Sequence, residues 1–139
     1  MVFSNITIKK SNKDSKEKPT ETELQEILDL LNEEDFETRE DMPIEHSYND
    51  PPDIEWSDEC HETAKKYARD NDYLTQVSGY LISSIEENAN KVELKAHSVV
   101  QDTNTETLLE VMPGIYSLEK YNFIEHESGI RGHDLEAVA

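Results

Sequence analysis

From Lys91 to Gln101 the chain alternates well. Val92, Leu94, Ala96, Ser98 and Val100 fall on one side, and Glu93, Lys95, His97 and Val99 on the other. A period of two over such a run is that of a β-strand. A strand pairs its backbone groups only inside a sheet, so this segment commits the chain to one. Neighbouring runs supply partners. Residues 75–85 carry Val77, Tyr80, Leu81 and Ile82, interrupted by Gly79, which is expected to mark a bulge. Residues 107–112 form a third run. Asp102-Thr103-Asn104-Thr105-Glu106 between the last two is turn chemistry, so those two should form a hairpin.

Helical signals lie upstream. Thr20 followed by Glu23 makes a capping box, and Leu24, Ile27, Leu28 and Leu31 then form one apolar stripe. A second helix is expected after Ser57 or Asp58, with Trp56 as a staple. Cys60, Ala64, Tyr67 and Ala68 share one of its faces, and it should end near Asn71-Asp72. The fold class that follows is α+β, with two or more helices packed on a small antiparallel sheet of three to five strands. Residues 2–8 and 121–126 are candidate additional strands.

The expected organisation is a single α+β domain over residues 20–128. Residues 1–19 would be an N-terminal strand and a mobile lysine-rich arm, because residues 9–18 contain no apolar side chain. The acidic, proline-containing segment 32–53 reads as a long irregular connection. Residues 129–139 read as a flexible C-terminal tail.

Charge narrows the function classes. The 139-residue chain carries a net charge of −19. Such a chain repels nucleic acid and anionic lipid, so direct binding to either is not expected. The charge fits a solubilising surface or, alternatively, a non-enzymatic acidic inhibitor or nucleic-acid mimic binding a basic partner protein. No run of apolar residues is long enough to span a bilayer, and the first residues lack signal-peptide character. With its single cysteine, the chain is expected in the reducing cytoplasm.

That cysteine, Cys60, falls in the first turn of the second helix, where free amides and the helix dipole favour a thiolate. Asp58 and Glu59 work against it. His97 on the alternating strand and Glu110 on the next could serve as base and orienting group. The hairpin links the last two. A two-residue turn sets His97 opposite Glu110, a four-residue loop makes them diagonal neighbours on one face, and a three- or five-residue loop would usually shift that parity. The plainer alternative is a buried cysteine acting as a small core hydrophobe. No metal or other cofactor is expected. His61, His97, His126 and His133 lack close zinc-ligand spacing, and there is no second cysteine.

Helix-borne Cys60, Ala96-His97-Ser98-Val99-Val100 and Leu109-Glu110-Val111-Met112-Pro113 together resemble the core of the papain-like and transglutaminase-like cysteine hydrolase superfamily. Cys60-His61 with these later segments also resembles small bacterial and phage proteins with a Cys-His…His…Asp-Val-Thr-Pro pattern. The resemblance covers roughly residues 54–125. It implies a cysteine hydrolase or transferase acting on an amide, peptide or thioester bond of a peptide or protein substrate. Cys60 would be the nucleophile, His97 the general base and then acid, and Glu110 its orienter. Glu110 stands where the superfamily has Asp or Asn, and Met112 where the second pattern has Thr. No glutamine precedes Cys60 closely enough to supply an oxyanion donor, Gln25 and Gln76 being poor substitutes.

Overall fold

A computed structural model describes residues 2–11, 17–33, 40–41, 59–82, 91–111 and 122–139. The elements are β1 (Asn5–Ser11), α1 (Glu21–Asn32), β2 (Glu40–Asp41), α2 (Glu59–Asp70), β3 (Leu74–Ile82), β4 (Lys91–Asp102), β5 (Leu108–Glu110), β6 (Asn122–Glu125), a 3-10 helix (Glu127–Arg131) and β7 (His133–Val138). The strands form one sheet in the order β1-β7-β4-β3-β6, with β5 on β4 and β2 on β5. Every pairing is antiparallel except β2 with β5. The chain is therefore α+β, two helices on a mainly antiparallel sheet.

β4 organises this sheet. It pairs with β3 along Leu74–Ile82. On its other edge Lys91 to Leu94 pair with β7, and Val100 and Gln101 pair with β5. Between those two pairings Asp134 stands in for a strand, its carboxylate accepting from the Ala96 amide at 2.9 Å. His97 and Ser98 lie in this interval.

The expected capping box is present. The Thr20 hydroxyl accepts from the Glu23 amide at 3.2 Å, and the Glu23 carboxylate accepts from the Thr20 amide at 3.0 Å. Ile27, Leu28 and Leu31 of α1 then pack on Phe3, Ile6, Tyr80, Val92, Leu94, Ile124, Leu135 and Ala137. Asn32 at the end of α1 clamps the Phe3 backbone, bonding its amide at 2.7 Å and its carbonyl at 2.9 Å. A second cluster seats α2, with Ala64 and Tyr67 against Leu74, Val100, Leu109 and Val111. Val77, Leu81, Val99, Leu108 and Phe123 form a third.

Several expectations need correction. Residues 129–139 are not a flexible tail. They complete the 3-10 helix and form β7, which lies between β1 and β4 with Leu135 and Ala137 fully buried. The segment's polar residues concealed this, because His133 and Asp134 are buried through distant partners, the Glu17 carbonyl and the Ala96 amide. The lysine-rich arm is shorter than expected, since Lys9, Lys10 and Ser11 belong to β1 and only part of the arm, residues 12–16, lies outside the described residues. Gly79 marks no bulge, for the β3–β4 register is unbroken across it. A side chain there would collide with the backbone of Ile124, and Gly129 packs equally closely on the Gly79 backbone. The expected cap and staple of α2 and most of segment 32–53 lie outside the described residues. Among that segment's described residues, Glu40 and Asp41 form β2.

Candidate active site

Two of the three proposed site residues meet because of the β4–β5 hairpin. Asp102 and Thr107 close it, with Thr103 to Glu106 as a four-residue loop. Val100 stands opposite Leu109. In that register Glu110 lies diagonal to His97 on the same face, one of the two arrangements an even loop allows. His97 Nε2 donates to both carboxylate oxygens of Glu110, each at 2.8 Å. Both side chains are fully buried, so the carboxylate fixes the ring's orientation in a low-dielectric setting.

The third residue arrives on α2. The helix body packs by Ala64 and Tyr67, while its first turn carries Cys60 to His97 and His61 to Ser98. Consecutive residues of the helix thus meet consecutive residues of β4. With Nε2 committed to Glu110, Nδ1 is the ring nitrogen left for the thiol. Cys60 is only 5% exposed, at the core-facing position its helix stripe indicated.

Electrostatics at the site favour an ion pair. Burial pushes the Cys60 thiol up, but hydrogen bonds from His61 and His97, together with the His97 charge, outweigh it and bring the thiol to about 6. Burial pulls His97 down. Its bonds to Cys60 and Glu110 and the charge of Glu110 outweigh that, and the imidazole rises to about 9. Between these values the pair holds thiolate and imidazolium, and the two titrate as a coupled unit.

The structure also reveals residues outside the expected set. His61 Nδ1 is hydrogen-bonded to Ser98 Oγ, and Ser98 Oγ lies 2.7 Å from Ser78 Oγ. Ser78 and Ser98 face each other across β3 and β4. Ser98 belongs to the inward-facing set of the alternating strand, and a buried serine among Leu94, Ala96 and Val100 was the available sign that a polar partner sits above it. Gln76 donates to the His61 carbonyl at 3.2 Å, so it supports the helix backbone. His126 and His133 are held elsewhere, on Ser128 and on the Glu17 carbonyl. Only His61 and His97 of the four histidines considered reach Cys60.

Comparisons with protein families, curated proteins and solved structures give no match to this chain.

Proposed function

We propose that this protein is a cysteine hydrolase or transferase acting on an amide, peptide or thioester bond. The observation that carries this reading is the buried His97, held by the Glu110 carboxylate through Nε2 at 2.8 Å and close enough to the Cys60 thiol for the two to shift each other's ionisation. A core-filling cysteine needs neither an ionised imidazole nor a carboxylate behind it. Burying both charged groups is costly unless they are paired, and a paired Cys–His–Glu array is suited to nucleophilic catalysis.

In the proposed reaction the Cys60 sulfur attacks the carbonyl carbon, and the carbonyl π pair moves onto oxygen. Collapse of the tetrahedral adduct breaks the bond to the leaving amine or thiol, which takes the proton from His97 Nδ1. His97 then accepts a proton from the incoming water or amine as that group attacks the thioester. The sulfur leaves as thiolate. Glu110 holds the ring in place and stabilises its cationic form throughout. A papain-like or transglutaminase-like core belongs to this same proposal, supported by the order of the three residues on helix, strand and strand.

The net charge of −19 bears on the partner. It favours a basic peptide or protein, whether as substrate or, in the second reading, as the target of a non-enzymatic acidic inhibitor. Incubating the protein with a panel of peptide amides and aryl thioesters and weighing it intact separates the two. The enzyme reading expects an acyl adduct on Cys60, absent from Cys60→Ala and strongly reduced in His97→Ala. Salt-sensitive binding of a basic protein with no adduct from any probe would favour the inhibitor.

A further inference from the structure

We propose that His61 is an oxyanion donor of this site, its Nε2–H aimed at the reacting centre by a hydroxyl chain from Ser98 and Ser78. This rests on the Cys60–His97–Glu110 reading and supplies a component that reading lacks. Acyl transfer puts negative charge on the carbonyl oxygen, and donors aimed at that oxygen are usually the largest single contribution to catalysis. The backbone amide of Cys60 provides one. It is the second residue of α2, so it has no acceptor within its own helix. The sequence offers no glutamine for a second, and Gln76 is occupied with the His61 carbonyl.

His61 fits the vacancy. His61 is 7% exposed, bonded through Nδ1 to Ser98 and close enough to the Cys60 thiol to draw it down. The donor role assigns the hydrogens along this chain. In the proposed arrangement Ser78 donates to Ser98, Ser98 donates to His61 Nδ1, and His61 carries its hydrogen on Nε2, the nitrogen left for Cys60. The donor is thus oriented before any substrate arrives. In the resting site the thiolate accepts this bond. When sulfur bonds to the carbonyl carbon, its charge passes to an oxygen two bonds away, and Nε2–H can follow the charge. The bond to oxygen exists only once the reaction is under way, the condition under which binding lowers a barrier. Ser98 acts as a positioning residue by holding the tautomer.

Two reagents separate this role from thiol activation. Iodoacetamide alkylates the thiolate without creating an oxyanion, whereas acylation by p-nitrophenyl acetate passes through one. Both rates are measured on the full chain at a pH where each variant's thiol is fully ionised. For His61→Ala we expect acylation to fall about 100-fold while alkylation stays within about threefold. His61→Gln, whose amide can place an N–H in the same region, should recover part of the acylation. Ser98→Ala should lower the acylation-to-alkylation ratio by about tenfold, a partial loss of one donor. It serves as the test if His61→Ala does not fold. Equal loss of both rates in His61→Ala, or an unchanged ratio in Ser98→Ala, would overturn the donor role and leave the triad standing. A wild-type thiol inert to both reagents, or rates unmoved by His97→Ala, would overturn the triad and this inference with it.

Discussion

Two stretches of β4 are built on opposite principles. At one end Val92 and Leu94 pack against α1, β1 and β7 in an apolar cluster. In its middle His97 and Ser98 are equally buried, but their neighbours are Cys60, His61, Glu110 and Ser78. The first stretch gains stability from every methylene it removes from water. The second spends part of that gain on desolvating charges, recovered only while each group keeps its partner. One strand therefore carries both anchor and candidate site, with the polar pair flanked by buried apolar residues on either side.

The largest expected effect tests the anchor. Removing residues 133–139 takes away the strand between β1 and β4, and the remaining chain should show no cooperative thermal transition by circular dichroism. A variant lacking them that still melts cooperatively would show that β7 is dispensable. Next come substitutions in the two stretches. Leu94→Ala should cost about 2–5 kcal/mol in urea denaturation, as for other buried leucines. Glu110→Leu alone should cost about 3–5 kcal/mol, since it strands a buried imidazole. The double variant His97→Leu with Glu110→Leu should recover most of that loss, whereas no second change at the apolar end rescues Leu94→Ala. A double variant as unstable as the single would mean that the pair is a net source of stability, and the contrast would fail.

Smaller effects belong to the periphery. Thr20→Ala removes the capping hydroxyl of α1 and should cost about 1 kcal/mol in the same assay, leaving Cys60 reactivity unchanged. Neutralising the acidic residues of segment 33–45 should change any acyl-transfer activity only modestly. If instead it abolished function while Cys60→Ala did not, the acidic-inhibitor reading would prevail.

Much of this contrast was readable from local pattern. The capping box announces α1, alternation announces β4, and the turn residues announce a hairpin, whose even loop then sets Glu110 beside His97. Local signals worked because these features are decided by neighbours in sequence. β7 was missed for the converse reason. Its His133 and Asp134 look like tail residues until Glu17 and Ala96, both far off in the chain, supply their partners. Gly79 looked like a bulge because the close packing of Ile124 and Gly129 against it is a tertiary fact. The His61–Ser98–Ser78 chain needed two registers at once, helix on strand and strand on strand, and no single segment encodes both.

The central claim is that Cys60 is ionised by His97 and so is more than a core residue. The most direct measurement is the rate of iodoacetamide alkylation against pH for the wild type and His97→Ala. A lowered thiol means the reactive form appears as pH rises through about 6. The imidazolium beside it persists until about 9. The wild-type rate should therefore reach its plateau near neutral pH, and removing His97 should shift the rise toward the ordinary thiol range. A rise near 9 in both proteins, or a thiol that fails to react at any pH in either, would contradict the account.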